Sequence, residues 1–196
     1  MKATVLLCVM IFPLSVLAES VDLFKSGDGG VNTFRIPAIA TATNGDLIAV
    51  ADARFKSGKD LNGGDPIATV VRRSADCGKT WTERELICSW PDGFSASDPS
   101  LIVDRQTGEV FCFANVWDHK NAKGVYQVWM ASSLDNVKTW SKPRDLTASI
   151  HRPEWPRTVW GFVTSGSGIQ TKDGTLLHTI PLVGKEGWLF GSRDHG

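Results

Sequence analysis

The chain has 196 residues, with 21 basic and 21 acidic side chains and a formal net charge of zero. With no basic tail or face, non-specific nucleic-acid binding is excluded as a leading function. Its 42% hydrophobic content predicts a folded soluble protein with a sizeable core, and eight Trp against one Tyr, with 19 Gly, point to an all-β architecture of short strands.

The N-terminus has the layout of a secretory leader. Lys2 is a basic start, Val5 to Val16 is an apolar run broken by Pro13 and Ser15, and Val16-Leu17-Ala18 ends in a small residue. Residues 1–18 are predicted to be a signal peptide, so the chain is expected to be exported: secreted, periplasmic or at the cell surface. The apolar run is shorter than the ~20 residues a membrane span needs, and no stable membrane insertion is expected after cleavage.

From there strands alternate with turns. Phe34 to Ala40 is followed by Asn44-Gly45 and a return strand, Leu47 to Ala53; Ile67 to Arg73 and Trp81 to Cys88 read as the third and fourth. After Asp98-Pro99 a second series begins, with Leu101 to Val103, Val110 to Ala114 and Val125 to Ala131. A third follows, with Val159 to Gln170, Leu176 to Leu182 and Gly187 to Phe190. No stretch after the leader carries a helical apolar period over 11 or more residues. Cys8 leaves with the leader. Cys112 reads as a core residue, and Cys77 and Cys88 could bridge in an oxidising compartment. The four His are scattered and there is no close Cys-x-x-Cys, so neither a metal nor a cofactor is expected.

A repeat organises these strands. Ser74, Asp76, Gly78, Thr80 and Trp81 define the pattern Ser-x-Asp-x-Gly-x-Thr-Trp. Ser133, Asp135, Thr139 and Trp140 repeat it with Val137 in place of the glycine, and Ser192, Asp194 and Gly196 begin it again, at a constant period of 59 residues. About four strands per period is the signature of a β-propeller. The box residues are expected to be structural: the Asp accepts backbone N–H groups in a tight turn, and the Trp plugs the space between sheets. At Val137 either the turn needs no positive φ or the backbone is strained.

The chemistry-bearing candidates lie elsewhere. Arg35, in Phe34-Arg35-Ile36-Pro37, is a charge among apolar neighbours, expensive to bury unless an anion meets it. Arg54 ends the return strand and could face the same end, so the two could grip one carboxylate. Residues 55–66 form a long loop with Asp60 and Asp65 as acidic candidates. Arg35, Asp98 and Trp160 each open the first strand of a series, where a propeller lines its central channel.

Taken together, Phe34-Arg35-Ile36-Pro37 and the repeated boxes resemble the sialidase (neuraminidase) family, with its Phe/Tyr-Arg-Ile-Pro motif and Asp boxes, over roughly residues 27–196. The resemblance implies a six-bladed β-propeller, of which residues 19–196 would supply about three blades as its N-terminal part, stopping inside the third box. It implies an exo-α-sialidase that removes terminal sialic acid from glycoproteins, glycolipids or oligosaccharides by a retaining mechanism with a tyrosine nucleophile. Arg35 then matches the first arginine of the carboxylate-binding triad, Arg54 an accessory arginine, Asp60 the acid/base carboxylate, preferred to Asp65 on spacing, and Asp98 an aspartate contacting the sugar. Trp160 and Phe162 match the pocket lining loosely. The family's Tyr and Glu and its other two triad arginines have no match here, since Tyr126 is expected in a middle strand. The 196-residue chain alone is expected to be inactive and to fold poorly. The alternatives are a non-catalytic glycan-binding, adhesin-like propeller, or a propeller hydrolase for another sugar.

Overall fold

The structure, a computed structural model, describes residues 20–87, 93–121, 126–155, 161–182 and 184–196. The leader at 1–18, Cys88 and Trp160 lie outside the described residues. The fold is all-β: among the described residues there are twelve strands, two 3-10 turns and the four-residue helix α1 (Thr147–Ile150). Among the described residues no helix is long and apolar enough to cross a membrane.

Three sheets follow one another along the chain. In the first, β1 (Thr33–Thr41), β2 (Leu47–Arg54), β3 (Ile67–Ser74) and β4 (Glu85–Leu86) are antiparallel neighbours in sequence order. The β1–β2 hairpin turns where Asn44-Gly45 predicts it: Gly45 sits at φ 92, and Asn44 Oδ1 accepts the Asp46 amide. In the second, β5 (Phe94–Val103), β6 (Val110–Asp118), β7 (Gln127–Ser133) and β8 (Arg144–Asp145) repeat the meander, and β9 (Gly166–Ser167) joins β5 in parallel. The third holds β10 (Ile169–Gln170), β11 (Leu176–Leu182) and β12 (Glu186–Ser192).

The predicted strands are largely present, with informative departures. Trp81 to Arg84 is loop, and only Glu85 and Leu86 pair, exposed at the edge. The span predicted from Val159 is reduced to the short β9 and β10, and Gly166 at φ 106 shows the chain turning there. The second series does not restart after Asp98-Pro99. Instead β5 runs through it as a single ten-residue strand with a bulge between Ser97 and Ser100. β1 carries a matching bulge between Arg35 and Ala38. In both, the residue before proline, Ile36 or Asp98, has a left-handed φ of 54 or 58. A proline has no N–H to give the ladder, so a bulge is where a strand tolerates one.

The second sheet is packed on both faces, which is why every residue of β6 is buried and the strand reads as an unbroken apolar run. Val110 and Cys112 face the first sheet with Ile48, Val50, Val71 and Leu101. Their alternates Phe111 and Phe113 face the third sheet with Met130, Leu176 and Ile180. Cys112 is thus a core residue as expected, while Cys77 is an exposed free thiol.

The boxes are self-contained turns. Asp76 accepts the Ser74 hydroxyl (2.8 Å) and both the amide (2.8 Å) and hydroxyl (2.6 Å) of Thr80. Asp135 does the same with Ser133 and Thr139, and Ser192 Oγ donates to Asp194 while accepting the Gly196 amide. The Thr80 and Thr139 bonds pull the pKa values of Asp76 and Asp135 down to about 2. Trp140 packs against the core between the first two sheets. Val137 resolves its alternative in favour of strain, with φ 57. That conformation disfavours a side chain by ~1–2 kcal/mol, whereas burying a valine contributes ~1.5–3 kcal/mol. Val137 is only 4% exposed within the core, and burial outweighs strain.

Candidate active site

β1 begins and β2 ends at one edge of the first sheet, which brings Arg35 and Arg54 together beside the β2–β3 loop, and the bulge within β5 brings Asp98 against Asp52 of β2. Arg35 pairs with Asp52 across the β1–β2 ladder, and each bulge redirects the side chains beside it. The loop is braced by a bond from Ser57 Oγ to Asp65 Oδ2 (2.5 Å) and anchored by buried Leu61 against Ile67 and Trp117. Asp65 therefore serves the loop itself.

Asp60 is the meeting point. Its Oδ1 accepts Arg54 Nη1 at 2.8 Å and Arg35 Nη1 at 3.0 Å. Both guanidinia also donate to the Gly58 carbonyl, and Arg54 to that of Lys59 at 2.6 Å. Arg35 is half-exposed, whereas the Arg54 side chain is only 1% exposed. A guanidinium buried to that degree needs partners for its donors, and besides Asp60 its Nη2 donates to the Asp52 carboxyl, at 2.9 Å. Burial works against the Arg54 charge, but the bonds to Asp60 and Asp52 outweigh it and hold its pKa above the ordinary arginine value. In return the Arg54 bond, more than the charge of Arg35, holds the Asp60 carboxyl below its usual range despite partial burial.

Asp98 has the opposite environment. Burial raises its pKa, against the bond it accepts from Asn115 Nδ2 (3.3 Å), and the Asp60 charge adds to the rise. Asn115 is fixed in turn by bonds in both directions with the Val163 backbone (3.0 and 2.8 Å), so the segment leading into β9 buttresses the aspartate. The two carboxyls are thus pushed in opposite directions by their surroundings.

Arg35, Asp60 and Asp98 line a cleft of ≈ 350 Å³ with Asn62, Tyr126 and Phe162, and Arg54 lies buried behind Asp60. The structure brings together Arg35, Arg54, Asp60 and Asp98 of the predicted set, along with Phe162. Tyr126 is not in a middle strand: it precedes β7 and forms the aromatic wall, 5.1 Å from Trp117 and 6.3 Å from Phe162 between ring centroids. Burial raises its phenol pKa, and the charges of Asp98 and Asp60 add to this, which disfavours the phenolate. Asp52 and Ser97 were not singled out in advance. Asp52 left a trace, since it stands two residues before Arg54 and shares its strand face. Ser97 and Tyr126 left none. Among the described residues no cluster of His, Cys, Asp or Glu could hold a metal ion.

Buried His178 shares a 2.5 Å hydrogen bond with Ser100 through Nε2, but this is no nucleophile–base pair. Its Nδ1 accepts the Thr179 amide, so Nε2 carries the proton and cannot accept the serine's. Burial also lowers the pKa of His178 to about 4.

Two arginines thus converge on one carboxylate at one end of consecutive antiparallel sheets that carry Asp turns. The BNR repeat-like domain family matches residues 36–187. Curated relatives include a sialidase of Micromonospora viridifaciens, 35% identical over 200 residues, covering 89% of this chain and 30% of that protein. A Bacteroides fragilis sialidase is 32% identical over 186 residues, covering 83% and 33%. A solved Hadza microbial sialidase superposes with a TM-score of 0.79 at 28% identity, over 88% of this chain and 38% of its own. Trypanosoma rangeli sialidase in complex with sialic acid, at 21% identity and a TM-score of 0.69 over 90% and 33%, shares the fold.

The chain belongs to the sialidase family of BNR repeat proteins. It spans about a third of the length of the two curated relatives above.

Proposed function

We propose that this chain is the N-terminal part of an exo-α-sialidase, and that its three sheets are three blades of a six-bladed propeller. The observation that carries the reading is the convergence of Arg35 and Arg54 on one carboxylate oxygen. In the absence of sugar that oxygen belongs to Asp60, so the cleft is already built to receive a carboxylate. Sialic acid differs from neutral sugars in bearing one at its anomeric carbon, and a fork of fixed guanidinia recognises it.

In this reading the sugar carboxylate takes Arg35, and Asp60 is released from it. Loss of that cation removes one restraint on the Asp60 pKa, and displacement from Arg54, the larger restraint, lets it rise toward the range of a general acid. Asp60 then protonates the leaving oxygen and afterwards deprotonates water. Asp98 contacts the sugar, and Tyr126 and Phe162 supply its apolar wall. The nucleophile is a tyrosine, because an anionic carboxylate attacking beside the substrate's own would meet like charge. Tyr126, the chain's only tyrosine, is not assigned that role, because no glutamate stands among the described residues lining its cleft to activate it. The isolated 196-residue chain is therefore inactive in this reading. The basic and apolar pattern of residues 1–18 supports export, toward sialylated glycans outside the cell.

The test is turnover of a fluorogenic sialoside by the natural full-length protein, with Asp60→Ala and Arg35→Ala alongside. Cleavage lost in both, with binding of sialic acid spared in Asp60→Ala, supports the enzyme. Binding without cleavage in the unmutated protein favours a glycan-binding propeller, and cleavage of neutral glycosides only would favour a hydrolase for another sugar.

A further inference from the structure

The clamp and the sugar-facing aspartate belong to different sheets, and one buried group joins them. Asp52 is 0% exposed. Its Oδ2 accepts Arg54 Nη2 at 2.9 Å and Ser97 Oγ at 2.5 Å, and its Oδ1 accepts the Asp98 backbone amide at 2.9 Å. The first partner lies on its own strand, and the other two lie 45 and 46 residues further on, in the β5 bulge. The geometry points to Asp52 as a positioning residue: one carboxylate sets the orientation of Arg54 and the backbone of Asp98 together, and so fixes the spacing between the two walls of the cleft.

Each half of that statement has its own physical basis. Arg54 ends β2, and its Nη1 edge is held by loop oxygens and Asp60, groups that a ligand would disturb. Its Nη2 edge is held by Asp52 with no loop involved, so the guanidinium plane survives displacement of Asp60. Asp98 occupies a left-handed conformation before a proline, at φ 58. Such a conformation persists only where its surroundings over-determine it, and the bond from its amide to Asp52 is one such restraint. Asp52 itself lines no part of the cleft. It acts through its neighbours.

Substitution by asparagine isolates this role, because no orientation of a carboxamide satisfies both sides. With its NH₂ toward Oδ2 it meets the Arg54 donor, and with its NH₂ toward Oδ1 it meets the Asp98 amide. One of the two groups must be released, with almost no change in volume.

The inference rests on the sialidase reading for its kinetic consequence only, and two readouts keep them apart. In the natural full-length protein, Asp52→Asn is expected to raise KM for a fluorogenic sialoside about 10–100-fold, the usual effect of losing the partner that orients a binding group, with a smaller fall in kcat. Combined with Arg54→Ala, the two losses should be less than additive. The second readout needs no substrate: hydrogen exchange at the Arg54 Nη protons or the Asp98 amide should accelerate at least about tenfold in Asp52→Asn, consistent with losing a buried bond. If Asp52→Asn does not fold, Ser97→Ala, which removes one of the three donors, should give the same changes in weaker form. Unchanged exchange at both positions, or full additivity with Arg54→Ala, overturns the assignment. An unmutated protein that cleaves no sialoside removes the sialidase reading and leaves the exchange measurement to decide this one.

Discussion

The buried carboxyl of Asp52 makes stability depend on pH in a direction opposite to hydrogen-bonded carboxylates such as Asp104. Burial drives its pKa from 3.8 to about 7, against the bonds it receives from Ser97 and Arg54. Between those values the folded chain holds a proton that the unfolded chain has released, and stability falls as pH rises. The contribution is fully present below about pH 4 and is lost by pH 7. A shift of about three units at ~1.4 kcal/mol each sets a ceiling near 4 kcal/mol. Asp104 behaves in reverse. Burial opposes its ionisation, but bonds from the Gln106 amide, His195 and Gln170 outweigh it and hold its pKa at about 2, so its contribution is present above pH 4 and lost below. The two windows meet near pH 4 without overlapping. Urea unfolding of the natural protein and of Asp52→Asn at pH 4, 5, 6 and 7, with constant m-values, isolates the residue. The stability difference between protein and variant should shrink by several kcal/mol from pH 4 to pH 7. A difference that stays flat, or widens, would mean that Arg54 keeps Asp52 ionised throughout and that burial is the lesser effect.

The remaining expectations address the clamp and the box. Arg35→Ala should weaken sialic acid binding about 10–100-fold, the equivalent of one charged hydrogen bond at ~1.5–3 kcal/mol, measurable by calorimetry; an unchanged affinity would put the carboxylate elsewhere. Asp60→Ala should lower kcat about 10²–10⁴-fold while leaving sialic acid affinity equal or higher, because the internal competitor for Arg35 is gone. Weakened affinity would show that Asp60 binds the sugar rather than competing with it. In the second box, Val137→Ala should be more destabilising than Val137→Gly. Both remove the packed methyl groups, but only glycine relieves the φ of 57, a gain of ~1–2 kcal/mol set against the ~0.5–1 kcal/mol by which glycine is ordinarily worse. Thermal melts that rank alanine above glycine would refute the strain at this turn.

The scaffold was legible because its signals are local. Each box closes within eight residues through bonds among its own Ser, Asp and Thr, so pattern and period reveal it without knowledge of neighbours. Arg35 and Arg54 were legible for a related reason: each is a charge within an apolar strand, and that conflict demands an anion. The bulges were not legible, because Asp98-Pro99 looks the same in a turn as in a strand that continues past it. Tyr126 was misplaced by a strand boundary of two residues, since β7 begins at Gln127 rather than at Val125.

Sequence alone determined the repeat, the strand-rich architecture and the residues able to bind a carboxylate, since composition, spacing and turn chemistry act within one segment. Only tertiary structure decided that Asp52 would bridge Arg54 and Asp98, that Asp60 would occupy the clamp, and that Asn115 would be held by Val163. Most of those partners lie on separate strands and loops, and which donors meet which acceptors depends on register and on bulges that turn side chains from one face to another. A shift of one residue in β5 would leave every local signal intact and take the cleft apart.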